Sequence, residues 1–287
     1  MKKITPAFEA VEISGSDNTA TRFLYNTVPG RILLKLLVRT VFSKIAGSLM
    51  SSPASRFFIG SFIKRNGIDI DEYQSVKYCS FNDFFIREIK EGFRPFPDCD
   101  TDVAAPCDGK LTVYTITADS VFSIKNSEYS ITDLLQDKDL ADSYSDGICL
   151  IFRLTPDNYH RYAYICDGEV LRSKYIKGVL HTVQPIACRQ SDIFCQNTRE
   201  YTVLQTKNYG KIIQMEVGAL FVGMITNNNK NRSVKIGEKK GMFQFGGSTI
   251  IMLFQKDAIR INEEICENTK QNMETIVKMG NKIGEKS

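Results

Sequence analysis

The chain opens on helical periodicity and then changes to short apolar runs punctuated by turn residues. In "RILLKLLVRTVFSKIAGSLM" (31–50), Arg31, Lys35 and Arg39 fall four residues apart on an otherwise apolar stretch. That spacing predicts an amphipathic helix with one narrow basic stripe. "SRFFIGSFIKRNG" has the same character, and "SFNDFFIREIKEGFRPF" (80–96) reads as one short helix with Asn82 or Asp83 near its cap and Pro95 stopping it. Strands are predicted at 110–116, 148–154, 169–176, 200–206, 211–217, 219–225 and 249–255. The turns between them, such as "KNYGK" and "CDGE", suit antiparallel hairpins rather than βαβ units. "INEEICENTKQNMETIVKMG" reads as one amphipathic helix closing at Gly280. The fold class expected is therefore α+β: a mostly antiparallel β core, N-terminal amphipathic helices and a C-terminal helix, divided into a helical region 1–75 and a β-rich region 76–287.

Charge sharpens the view of the N-terminus. Of 37 Lys and Arg, ten lie in residues 1–70 against four Asp or Glu, so the excess of basic residues is local to that segment. Lys35, Arg39 and Lys44 interrupt every run long enough to span a bilayer. A helix lying in the interface suits the pattern, with basic side chains on anionic headgroups and Leu, Val and Phe below them; a helix packed on the protein's own core suits it too. The first eighteen residues lack the apolar core of a signal peptide, and eight scattered cysteines without a C-x-x-C pair read as free thiols of a reducing compartment. His160 and His181 are not spaced for a zinc site, and no metal site is expected. No phosphate-binding glycine loop is present, and no nucleic-acid partner is expected.

The reactive inventory is short: Ser248 after Gly246-Gly247, His160 in "LTPDNYHRYAY" and Asp108 in "AAPCDGK". Such a set can form nucleophile, base and orienting group. Each also has an ordinary reading, as turn serine, satisfied histidine and Asp-Gly turn. What the ordinary reading leaves over is the position of Gly246-Gly247-Ser248 directly against an apolar strand, where missing side chains cost packing. A base-assisted attack of the Ser248 hydroxyl on the Gly247 carbonyl would use that open backbone.

Several motifs together resemble, in order, those of phosphatidylserine decarboxylases: "FNDFFIREIKEGFRPF", "APCDGK", "LTPDNYHRY", "LHTVQPIA", "MEVGALFVGMI", "GEKKGMFQFGGST" and "ETIVKMGNKIGE". The resemblance runs from about residue 75 to the C-terminus. It implies self-cleavage between Gly247 and Ser248 by an N-to-O acyl shift and β-elimination, leaving fragments 1–247 and 248–287 as a heterodimer. It further implies a pyruvoyl group derived from Ser248, whose carbonyl forms a Schiff base with the substrate amine and accepts the electrons released as carbon dioxide departs. The substrate implied is phosphatidylserine, the product phosphatidylethanolamine, and the location the cytoplasmic side of the cell membrane, peripherally on an anionic surface.

Two departures from the family pattern stand out. Gly246 occupies a position commonly Leu, and Ala163 occupies that of a second motif histidine, so either His160 serves both cleavage and decarboxylation or His181 takes one of them. The competing readings are a non-enzymatic anionic-lipid-binding protein and a serine hydrolase using Ser248. Against the hydrolase, Gly-Gly-Ser-Thr at a strand's start is not the G-x-S-x-G elbow.

Overall fold

In a computed structural model the described residues are 8–13, 19–38, 40–124, 127–188, 192–220, 225–228, 232–244 and 248–287. Gly246, Gly247, Arg39 and most of the predicted strand 219–225 lie outside them. The helical N-terminus comprises α1 (Thr19–Asn26), α2 (Val28–Leu37), α3 (Thr40–Met50) and α4 (Phe57–Asn66), followed by the short α5 (Phe81–Phe85). The helix predicted over 31–50 is thus two. Thr27 starts α2 by accepting the Gly30 amide at 3.0 Å, and the Val38 carbonyl accepts Leu180 N–H at 3.0 Å, a tertiary partner in place of the next helical turn. Tyr25, Leu34 and Val38 pack on the core while Ile32, Leu33 and Leu36 stay exposed, so α1 and α2 are docked and amphipathic at once. No helix among the described residues is long and apolar enough to cross a membrane.

Strands follow in the order β1 (Ala10–Glu12), β2 (Asp102–Ala104), β3 (Gly109–Thr115), β4 (Val121–Ile124), β5 (Ser127–Ser130) and β6 (Ile148–Leu154). Next come β7 (Arg161–Ala163), β8 (Gly168–Ile176), β9 (Arg199–Thr206), β10 (Lys211–Val217), β11 (Ile225–Asn227) and β12 (Ser233–Val234). The last are β13 (Lys239–Phe243), β14 (Ser248–Phe254), β15 (Ile259–Ile261), β16 (Met273–Val277) and β17 (Lys282–Lys286). Nine of them form one antiparallel sheet, β1-β16-β3-β6-β14-β10-β9-β8-β12, with β14 at its centre. All seven residues of β14 are buried, because the sheet is covered on both faces. Ile251 and Leu253 join the half of the core beneath α1 and α2; Ile250, Met252 and Phe254 join the other. Ser248 shares the parity of Ile250 and so belongs to the second face.

Two predicted helices are shorter than their sequence patterns. The segment 80–96 is helical only over Phe81–Phe85, capped by Ser80, whose hydroxyl accepts Asp83 N–H at 3.1 Å. Beyond it, Arg161 takes the Ile86 carbonyl and Ile89 bridges Tyr73, so tertiary partners replace the helical ladder. The C-terminal helix spans Glu263–Lys270 and stops at Asn272, which adopts a φ of 63°. The β-branched "METIV" after it inserts between β1 and β3 as β16.

Candidate active site

Three segments converge at one end of the central sheet. Ser248 opens β14 opposite Leu154, the last residue of β6, while Lys110 of β3 stands opposite Arg153 on the other side of β6. Asp108 therefore sits at the same end of the sheet as Ser248, one strand removed. β7 is tied to that run by Ala163 N–H donating to the Pro106 carbonyl at 3.0 Å. His160, immediately before β7, accepts Phe243 N–H on its carbonyl at 2.9 Å, and Phe243 lies five residues before Ser248. The antiparallel register thus brings Ser248, His160 and Asp108 to one region from far-apart points of the chain.

Ser248 and Thr249 are fully buried, and neither hydroxyl has a hydrogen-bond partner among the described residues. A buried hydroxyl without a partner is costly, and such groups persist where a site uses them. His160 is also fully buried, packed against Phe85 with ring centroids 4.0 Å apart and the rings tilted by 38°. Its Nδ1 lies 2.9 Å from the Asn158 carbonyl. A carbonyl only accepts, so Nδ1 carries the proton and Nε2 the lone pair of the neutral ring, the form in which an imidazole acts as a base.

Asp108 is held differently from the expectation that it orients the imidazole. Arg94 reaches both its oxygens, Nε to Oδ1 at 2.8 Å and Nη2 to Oδ2 at 2.7 Å, and Met279 N–H donates to Oδ1 at 2.8 Å. Nδ1 of His160 is meanwhile turned to the Asn158 carbonyl. The loop before His160 is built around Asn158, whose side chain accepts Thr155 N–H at 2.8 Å, and is braced by Arg87, whose Nη2 donates to the Asp157 and Asn158 carbonyls at 3.0 and 3.2 Å. Sequence reasoning missed both arginines. The signal was present in the motif "FFIREIKEGFRPF", where Arg87 and Arg94 stand among apolar residues.

His181 lies elsewhere. Its Nδ1 is 3.1 Å from the Tyr25 hydroxyl of α1, on the helix-covered side of the sheet, and burial pulls its pKa down. Asn197 clamps its backbone by accepting His181 N–H at 2.9 Å and donating to the His181 and Gly218 carbonyls.

A second missed feature is a buried ion pair on the Ser248 face. Lys240 Nζ and Glu216 Oε2 are 2.6 Å apart with both side chains fully buried. Asn227 donates to the same oxygen at 2.9 Å and accepts the Tyr162 hydroxyl at 2.9 Å. Burial pushes the Glu216 carboxyl up, against the pull of Lys240 and Asn227. Gly241 lets these strands close up, because a Cβ there would strike the Thr226 carbonyl and the Asn227 carboxamide.

The fold and site define an α+β protein with a buried, strand-initial serine and a buried imidazole at the same end of its central sheet. A family model described as phosphatidylserine decarboxylase matches residues 81–285. The chain is 48% identical over 272 residues to phosphatidylserine decarboxylase proenzyme 2 of Clostridium acetobutylicum, covering 93% of this chain and 92% of that protein. It is 40% identical over 271 residues to the phosphatidylserine decarboxylase proenzyme of Fusobacterium nucleatum subsp. nucleatum, covering 92% and 90%. With the proenzyme of Clostridium perfringens strain SM101 the identity is 37% over 293 residues, covering 98% and 97%. The chain belongs to the phosphatidylserine decarboxylase family.

Proposed function

We propose that the protein is a self-processing decarboxylase that converts phosphatidylserine to phosphatidylethanolamine at a membrane surface. The observation that carries this reading is the Ser248 hydroxyl: fully buried, without a partner among the described residues, and at the head of the central strand, at the end of the sheet to which Phe243 ties His160. His160 Nε2 takes the hydroxyl proton, and Ser248 Oγ bonds to the Gly247 carbonyl carbon as the Gly247–Ser248 C–N bond breaks. The proton passes to the freed nitrogen. β-Elimination then removes the Ser248 Cα proton and releases the Gly247 carboxylate, and water displaces ammonia from the new N-terminus, separating residues 1–247 from 248–287. Asp108, ion-paired with Arg94 and fixed by Met279 N–H, braces the run from Pro106 that holds β7, and with it His160, in place.

A pyruvoyl group fits this position, because its three carbons would come from Ser248, which stands fully buried at the head of β14 with an unpartnered side chain among the described residues. Formed there, it supplies the electron sink that loss of carbon dioxide from an amino acid requires. His160 is the imidazole at that end of the sheet that would move a proton to or from that carbon, a duty made heavier by Ala163. The N-terminal helices are the membrane-associating part. Arg31 and Lys35 stand on α2 with exposed Ile32, Leu33 and Leu36, and Phe57, 91% exposed, begins α4. The reading is tested by incubating the purified protein with phosphatidylserine vesicles. Phosphatidylethanolamine and carbon dioxide are expected from the wild type and neither from Ser248→Ala; lipid bound without conversion by the wild type would leave a lipid-binding protein instead.

A further inference from the structure

The ion pair behind Ser248 has one atom too many for a purely structural bridge. Glu216 offers two carboxylate oxygens in a fully buried place; Oε2 takes both Lys240 and Asn227, and Oε1 has no partner among the described residues. The carboxamide oxygen of Gln214, two residues earlier on β10 and also fully buried, is likewise unpartnered. Two buried acceptors on one face lack donors beside a buried serine. Register places them close, since Glu216 pairs with Ile250, making Ser248 its diagonal neighbour across β10 and β14. Diagonal neighbours on one face lie about 7–8 Å apart, within reach of a long side chain.

We propose that Glu216, held by Lys240 and Asn227, is the seat of a primary ammonium: first the amine that self-cleavage creates on Ser248, then the amine of the aminophospholipid. The inference rests on the self-processing reading above. The acyl shift breaks the bond from the Gly247 carbonyl carbon to Ser248 N and delivers the hydroxyl proton to that nitrogen, leaving a primary amine. Such an amine has a pKa of about 7.7–8.0 in water and below that takes one further proton from solvent. A cation then stands in the core where a neutral amide stood, and the open oxygen of Glu216 stabilises it, drawing the amide toward the ester. The carbon that later loses this nitrogen is the one the substrate amine approaches, so the same seat faces both nitrogens in turn. The titratable groups around Glu216 are Lys240 from β13, Glu200 directly opposite on β9, Tyr162 from β7, Tyr164 and Cys107. Burial raises the pKa of the last three and keeps them protonated.

Self-cleavage of Glu216→Gln, followed on denaturing gels from about pH 6 to about pH 9, tests the first half. A stabilised ammonium matters only while the amine is protonated. Glu216→Gln is therefore expected to cleave about tenfold more slowly than wild type at the acid end, the equivalent of one pKa unit, and the gap is expected to close toward the alkaline end. Wild-type cleavage at every pH, or a slowdown constant with pH, overturns the seat and leaves a structural bridge. The double variant Glu216→Leu/Lys240→Met replaces the pair by apolar residues and is expected to keep a near-wild-type melting temperature with the same pH-dependent gap. Once cleaved, Glu216→Gln is expected to show a KM for phosphatidylserine raised about fivefold or more, by the loss of one charge-assisted hydrogen bond; an unchanged KM overturns the substrate half. If the wild type itself stays as one chain, like Ser248→Ala, it is the self-processing reading that fails.

Discussion

Replacing Arg94 by Met removes the cation that two carboxylates, Asp108 and Glu72, share. Arg94 is nearly buried, gives two hydrogen bonds to Asp108 and reaches Glu72 at 2.8 Å. Without it Asp108, 5% exposed, keeps the Met279 amide as its donor among the described residues, while Glu72 keeps Lys278 at 2.7 Å. Removing one partner of a buried pair costs about 3–5 kcal/mol, and the half-open Glu72–Lys278 contact adds little. For chains of this order of size each kcal/mol moves the melting temperature by about 2–4 °C, so a fall of roughly 6–20 °C is expected. The measurement is thermal denaturation by circular dichroism in a Ser248→Ala background, so that both proteins are single chains. A fall smaller than about 3 °C would refute the reasoning, because the pair would then carry no uncompensated charge when broken. Arg94→Met/Asp108→Leu removes both charges and should recover most of the loss. With Ser248 restored, that double variant should stay uncleaved; processing at the wild-type rate would take Asp108 out of the chemistry.

His160→Ala should accumulate full-length chain on a gel while His181→Ala processes, since His160 shares the Ser248 face and His181 faces Tyr25; the reverse pattern would move the cleavage base to position 181. The lowered pKa of His181 gives a stability signature: above the ordinary value of about 6.5 both folded and unfolded forms are neutral, and below it the unfolded chain binds a proton that the folded chain resists. Stability is therefore lost as pH falls from about 6.5 toward the lower folded value, and His181→Gln should flatten the melting temperature across that window. Replacing Arg31 and Lys35 by Gln should weaken binding to anionic vesicles at low salt by about 1 kcal/mol per charge and leave self-cleavage unchanged; undiminished binding would place the membrane contact elsewhere.

Much of this was legible where one period dominated. The strands 148–154, 211–217 and 249–255 were recoverable because apolar β-formers bounded by turns have few other readings. The short strands β2, β7 and β13 were not, because three to five residues carry too little pattern and their pairing is decided by distant partners. The C-terminal segment misled for a physical reason: its helical periodicity continues past Lys270, but Asn272 turns left-handed and the open edge between β1 and β3 draws "METIV" into the sheet. In the candidate site, Ser248, His160 and Asp108 stood out by residue type. Arg94, Arg87 and the Glu216–Lys240 pair did not, since a charged residue within an apolar stretch looks like an exposed one until its buried partner is seen.

The central claim is that Ser248 cleaves the chain before itself and becomes the new N-terminal group. Intact mass spectrometry of the freshly purified, denatured wild type tests it most directly. Two chains are expected, residues 1–247 and 248–287, the smaller lighter by one ammonia than a serine-initiated peptide and closed to Edman sequencing. A single species at the full 32.5 kDa, or a smaller chain that begins with an intact serine, would contradict it.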